Sequence, residues 1–514
     1  MSFSTTYANE YVLQDKQLRV QASNENTYLK ELAVNTSNGS PDIAPEWTSL
    51  VTRSKGAEIS RHLDVLGVNW NQDSLRSQGD KAGLVTSVMS QDGRLELRRQ
   101  LNMVPGEPWF RFGLEFINHS SSPLVLEQKL GLQLGPGLGE YPVKGFGIAD
   151  TLYSFVEPVS FSEGEGLQRF PFENELADKG YDVNSASWAG LQSRYFALLL
   201  IPEDASQSLG GVRIFSGSKS PDLPPRYLPK VTIELELGTL LPKSTIERKY
   251  IIYVGPKSKE ALVNDDYDFS ALLFPDLWQW MRSLSFTILW VLGIIHAVIP
   301  SWGLAIIVLA VCVRLLMYPL AQRALKSQQI FLRVQKAMQP ELVAIKKNYK
   351  GGEQSERILQ LYEQHNISPL AGLKPFLMVL IQIPIFVALF NVLGQVFELR
   401  AASFLWIDTL AEPDRLFSLG STIPLLGSYF NLLPVLMAVS TLLMISMSSI
   451  PTSSDSENKN RKIWGQLLMA FAFFVLFYPF PAGMVLYWAM ANILHLIQQW
   501  YVGLSANDRE PCSS

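Results

Sequence analysis

The chain has 514 residues, 47% of them hydrophobic, and a formal charge of −4 at pH 7. That balance, with the basic residues gathered beside apolar runs, excludes an electrostatically driven nucleic-acid binder. Two cysteines, Cys312 inside an apolar run and Cys512 near the end, exclude a disulfide framework although not an oxidising compartment.

The length points to two or more domains, and the composition changes near Tyr267. Residues 1–266 read as an all-β domain of many short strands. Arg94 to Val104 and Trp109 to Asn118 flank the turn Pro105-Gly106-Glu107-Pro108, and Phe110, Phe112, Leu114 and Phe116 fall on one face of the second strand. Further strands are expected at Leu124 to Leu134, Tyr195 to Ile201, Val231 to Leu237 and Arg248 to Val254. Such a series with few long helical patterns implies a large β-sandwich. This half has two histidines, His62 and His119, and no metal-ligand cluster, P-loop or GxSxG elbow. Turn composition around Asn118-His119-Ser120 accounts for His119 as a loop residue. No cofactor, metal or enzymatic activity is expected.

Residues 267–300 form a linker and an apolar segment, Leu284 to Pro300, which carries His296 and reads as an amphipathic helix along a membrane interface. Residues 301–502 hold five expected spans: Trp302 to Leu320, then about Pro375 to Gly394, Phe430 to Met447, Trp464 to Tyr478 and Ala482 to Tyr501. The first carries one charge, Arg314, about 18 Å along the helix. A guanidinium there costs at least about 2.5–3.5 kcal/mol on insertion scales. Read alone, Arg314 either snorkels toward Arg323 and the headgroups or serves a function.

Between Arg323 and Lys374 nine Lys/Arg cluster, Arg323, Lys326, Arg333 and Lys336 among them, whereas the loop after the second span has only Arg400 and Arg415. The positive-inside rule makes the first segment cytoplasmic, which places the β domain outside and the tail, 503–514, inside. Within 322–370 two apolar stripes joined by Gly351-Gly352 make a helical hairpin, bent at Pro340, whose basic residues either dock a partner or only fix topology and touch anionic lipid.

VRLLMYPL (Val313 to Leu320), Met338-Gln339-Pro340, Leu361 to Phe390 and Pro481 to Gln499 together resemble the YidC/Oxa1/Alb3 membrane protein insertase family, over roughly Trp302 to Trp500. Trp188-Ala189-Gly190, Arg194 to Pro202 and Tyr253 to Pro256 resemble the outer domain of its Gram-negative members, a β-supersandwich similar to galactose mutarotase folds. The resemblance implies a multi-pass protein of the bacterial inner membrane, with a periplasmic domain and a cytoplasmic C-terminus. It implies five core helices around a hydrophilic groove lined by Arg314, Gln382, Asn391, Tyr487, Asn492 and Gln498. Nascent membrane proteins enter that groove, alone or beside the Sec translocon, with the ribosome or signal recognition particle and anionic lipids as further partners. Each Asn, Gln or Tyr among these is also readable as helix–helix glue, although Gln382 and Tyr487 match family motif positions. Ala310 stands where relatives can carry a hydroxyl residue, which implies a less polar groove at that point. Relatives begin with a membrane-spanning segment that this N-terminus, MSFSTTYANE, does not show, so a truncated or misassigned start is expected. The alternative function is an anion or solute transporter using Arg314, although no internal repeat or pair of broken helices is visible.

Overall fold

The computed structural model describes residues 3–7, 10–23, 28–36, 47–54, 57–58, 60–79, 83–126, 129–139, 155–173, 179–204, 207–219, 223, 225–262, 269–364, 374–423, 426–448 and 456–507, with backbone only over 3–7, 10, 23, 54, 57–58, 225, 260, 321, 323–337, 339, 346, 374–381, 422, 445–448, 456–462 and 499–507. The chain divides into two compact units, Met1–Pro275 and Asp276–Ser514.

In the first unit nine strands form an antiparallel sheet in the order Gly166–Arg169, Val156–Ser162, Trp188–Ser193, Phe196–Pro202, Thr245–Pro256, Trp109–Asn118, Leu95–Met103, Gly83–Ser90, Trp70–Gly79. A five-stranded sheet, Tyr181–Ala186, Leu209–Phe215, Lys230–Leu235, Leu130–Leu134, Asp64–Leu66, packs on it through the strand Trp188–Ser193. The expected alternation holds: Phe110, Phe112, Leu114 and Phe116 are all buried. Each such side chain contributes about 1.5–3 kcal/mol on burial. The strand expected over Leu124 to Leu134 is instead two. Leu124–Val125 pairs with Thr239–Leu240, and Leu130–Leu134 joins the five-stranded sheet, so the chain changes sheets between them.

Gly190 faces Leu198 and Leu199 so closely that a Cβ there would strike the Leu198 carbonyl, which explains the glycine in Trp188-Ala189-Gly190. A meander of five strands between Phe3 and Ser49 stands beside the sandwich as its own sheet, which the sequence reading did not separate out. Asp15 closes one of its turns by accepting from Gln17 N and Leu18 N at 2.7 Å, and its second oxygen accepts from Gly106 N at 3.0 Å in the Pro105-Gly106 turn. His119 lies in its loop as expected, 2.6 Å from Glu96 Oε2. His62 is fully buried, with Gly135 N donating to Nδ1 at 3.0 Å and Nε2 3.2 Å from Leu50 O. The ring is therefore neutral, and burial lowers its pKa from 6.5 to about 4.

The second unit is helical. Its helices are α1 (Gln279–Val298), α2 (Trp302–Asn348), α3 (Gly352–Gln364), α4 (Lys374–Gln395), α5 (Leu432–Ser448), α6 (Ser456–Phe477) and α7 (Ala482–Asn507). Among the described residues, Gln279–Val298 and Trp302–Leu320 are long and apolar enough to cross a membrane by length and composition, and shorter apolar stretches lie in α4 to α7. The first span and the first hairpin helix, expected as separate elements, are one helix of 47 residues that runs through Pro319 and Pro340. At about 1.5 Å per residue it reaches about 70 Å, more than twice a hydrocarbon core of about 30 Å. Beyond it, Gly351 takes φ +65° and turns the chain into α3, which packs back on α2 with Leu361 buried. Residues 365–370 of the expected hairpin lie outside the described residues.

Candidate functional site: a half-closed helical bundle around Arg314

Apolar packing in the bundle is concentrated toward one end of the α2 span and of the helices against it. Within residues 302–320 of α2 the buried residues are Gly303, Ala305, Ile306, Leu309 and Ala310, and none of the residues 311–320 is buried. In α4 they gather at the C-terminal end, from Ala388 to Gly394, and in α7 mostly at the N-terminal end, Ala482 to Val485, with Ala489 and Asn492 beyond them. The connection from Val396 to Asn431 binds these same ends together. Ala482 N donates to Glu412 O at 2.7 Å and Gly483 N to Leu410 O at 2.8 Å, and Phe404 lies against Gly303.

The same connection caps α5. Asp414 Oδ2 accepts from Leu432 N and Leu433 N, both at 2.8 Å, and from Trp406 Nε1 at 3.1 Å. It thus satisfies amides at a helix start that have no intrahelical acceptor. Asn431 is fixed by Tyr478, its amide donating to the Tyr478 carbonyl at 2.9 Å. Pro434, the third residue of α5, sits where its missing N–H costs no bond, whereas Pro384 is interior to α4.

Arg314 stands one helical turn past Ala310, the last buried residue of the α2 span, and is itself half-buried. Its Nη2 donates to Nδ1 of His495 on α7, and its Nε is buried with no protein acceptor. Among the described residues Arg314 has no carboxylate within ion-pair distance. Tyr487, two turns before His495, is near enough to interact with the guanidinium charge. Gln498, one turn after His495, has both side-chain amide atoms buried without partners, as does Gln322 Nε2, two turns beyond Arg314. Buried polar atoms left unpaired in this way are rare in folded proteins, where more than about 90% find a partner.

The remaining residues named from the sequence have other placements. Asn492 is buried and donates to Thr441 Oγ1 at 2.9 Å and Ser440 Oγ at 3.3 Å, so its amide is spent on the α5–α7 seam. Asn391 donates to Val387 O of its own helix at 2.9 Å and accepts from Gln395 at 3.2 Å. Gln382 is exposed on α4. In the hairpin Pro340 is exposed, while the side chains of Arg323, Lys326, Arg333 and Lys336 lie outside the described residues. His495 is the residue that sequence reasoning missed. Its signal was a lone imidazole in the apolar run of α7, three residues after Asn492 and three before Gln498.

Two family models match the chain: 60Kd inner membrane protein over residues 294–509, and YidC periplasmic domain over residues 49–286. A "Membrane protein insertase YidC" of Herminiimonas arsenicoxydans is 30% identical over 440 residues, covering 82% of this chain and 70% of that protein. One of Polynucleobacter asymbioticus is 28% identical over 438 residues, covering 83% of this chain and 71% of the relative. Among solved structures, "Active YidC insertase crystal structure with the first transmembrane domain resolved" aligns with TM-score 0.36 and 18% identity, over 97% of this chain and 94% of that one.

Proposed function

We propose, from the premise that this chain belongs to the membrane protein insertase YidC family, that it inserts integral proteins into the bacterial inner membrane and helps them fold and assemble, by way of a hydrophilic groove around Arg314. The observation that carries this reading is Arg314 itself, a guanidinium in an apolar helix whose protein partner is an imidazole and not a carboxylate. A structural ion pair would supply an acid, and a snorkelling anchor would not be tied to a second helix. An incoming chain supplies the anion. Its hydrophilic, acidic end is drawn to Arg314 from the loosely packed side, the tight end under the Val396–Asn431 connection stops it half-way, and its apolar part moves sideways into lipid. Burial of about 20 apolar residues supplies the driving force at about 25 cal/mol per Å², so no nucleotide is required.

Gln498 and Gln322 belong to this groove because buried polar atoms without protein partners are met by water or by the client, and Tyr487 belongs to it through its interaction with the Arg314 charge. Gln382 sits further along its wall on α4, whereas Asn391 lies at the packed end with its amide committed within α4, and Asn492 holds α5 to α7. The charge distribution supports a cytoplasmic hairpin and C-terminus with a periplasmic first unit, and α1 fits an interfacial helix with Trp280 and Trp290 exposed. Nascent membrane proteins are the substrates. The basic hairpin, through Arg323, Lys326, Arg333 and Lys336, meets anionic lipid and the ribosome or signal recognition particle, and the membrane unit works alone or beside the Sec translocon.

Reconstitution into liposomes tests the reading. A small single-spanning client with an acidic N-terminal tail is added, and protease protection is scored against empty liposomes. Protection above the empty-liposome level is expected, and equal protection in both refutes insertase activity.

A further inference from the structure

We propose that His495 is the resting partner of Arg314, a positioning residue that holds the guanidinium in the groove until a client carboxylate replaces it. The inference rests on the groove reading above. Arginine only donates, so the Nδ1 that receives Nη2–H carries a lone pair, and the ring is the neutral tautomer with its proton on Nε2. A neutral acceptor stabilises the position of the charge without cancelling it. The bond to the imidazole has one charged partner, whereas a carboxylate adds the Coulomb attraction of a second, opposite charge, so a carboxylate displaces the imidazole and an apolar segment does not.

The geometry also fits the exchange. The buried Nε of Arg314 has no protein acceptor, and it lies beside the Nη2 that His495 engages. Nε–H and Nη2–H form the planar fork that a carboxylate grips with two oxygens. His495 thus holds one prong and leaves the other open. Without it the long arginine stem is free to swing toward the headgroups, as its position near the end of the apolar run allows. Among the described polar groups of α7, Tyr487 makes no hydrogen bond to Arg314, and the others do not substitute for His495. Asn492 is committed to Ser440 and Thr441 on α5, and Gln498 carries no bond to Arg314.

The test uses the full chain in liposomes with two single-spanning clients, one with an acidic tail and one with the acids replaced by neutral residues. His495→Leu removes the acceptor, His495→Gln keeps one, and Arg314→Ala removes the charge. The expected result for His495→Leu is a loss of roughly three- to tenfold for the acidic client, the weight of one hydrogen bond, with the neutral client changed less than about twofold. His495→Gln restores most of the loss. If Arg314→Ala spares tail-charge selectivity, the groove reading falls and this inference with it. If Arg314→Ala abolishes selectivity while His495→Leu preserves it, or lowers both clients equally, the groove stands and the role of His495 is overturned.

Discussion

Phe404 fills the space in which a Cβ on Gly303 would stand, so the first turn of α2 is pressed directly against the connection that covers it. The closed end of the bundle depends on this approach. Gly303→Val therefore forces the ring of Phe404 aside, at a cost of about 1–3 kcal/mol for overpacking. The check is the thermal midpoint of the purified protein in detergent, which falls. The double variant Gly303→Val, Phe404→Ala recovers part of the loss, because the clash is then removed.

Asp414 presents a single oxygen to three donors at the start of α5. Asp414→Ala leaves the Leu433 amide buried and unpaired, at a cost of about 1–3 kcal/mol, and removes the acceptor of two part-buried donors, Leu432 N and Trp406 Nε1. Hydrogen exchange at the Leu432 and Leu433 amides reports it directly: both lose protection in Asp414→Ala, while the far end of α5 changes little.

Asn492 separates a packing role from a groove role. Its bonds to Ser440 and Thr441 predict that Asn492→Leu lowers stability by about 0.6–1.7 kcal/mol, as for polar pairs between membrane helices. Insertion falls in proportion for all clients. A loss confined to acidic clients in the liposome assay would put its amide in the groove instead.

His62 makes the first unit sensitive to acid. Its imidazole takes a proton near 6.5 when unfolded and only near 4 when folded. Between those values the unfolded state binds more protons, so stability is complete above pH 6.5 and declines as the pH falls to 4, by an amount on the order of 3 kcal/mol. Exchange of the Gly135 amide, which donates to His62 Nδ1, reads this in the intact protein once corrected for intrinsic rate. His62→Gln flattens the dependence.

Which parts of this were legible in the sequence follows from how local each signal is. The strand Trp109–Asn118 was readable because alternation and its flanking turn are local, and Arg314 because one charge in an apolar run is visible without a fold. The strand pair Phe417–Ile423 and Gly427–Phe430 was not, since Ser418-Leu419-Gly420-Ser421 reads as loop and the register shifts between Ser418 and Ile423. The continuity of α2 is hidden because its composition changes from apolar to basic after Leu320, whereas backbone hydrogen bonding does not depend on that change. Asn492 and His495 lie within one turn of each other on α7, yet one bonds α5 and the other Arg314. Only the helix arrangement separates those roles.

The central claim is that Arg314 acts through its charge on the client's acidic end. The most direct measurement is insertion into liposomes of one single-spanning client carrying zero, one or two tail acids, compared between the wild type and Arg314→Ala, with Arg314→Lys as the charge-retaining control. The account predicts that wild type and Arg314→Lys insert more client as tail acids are added, and that Arg314→Ala shows no such rise. Equal dependence on tail charge in all three proteins would contradict it.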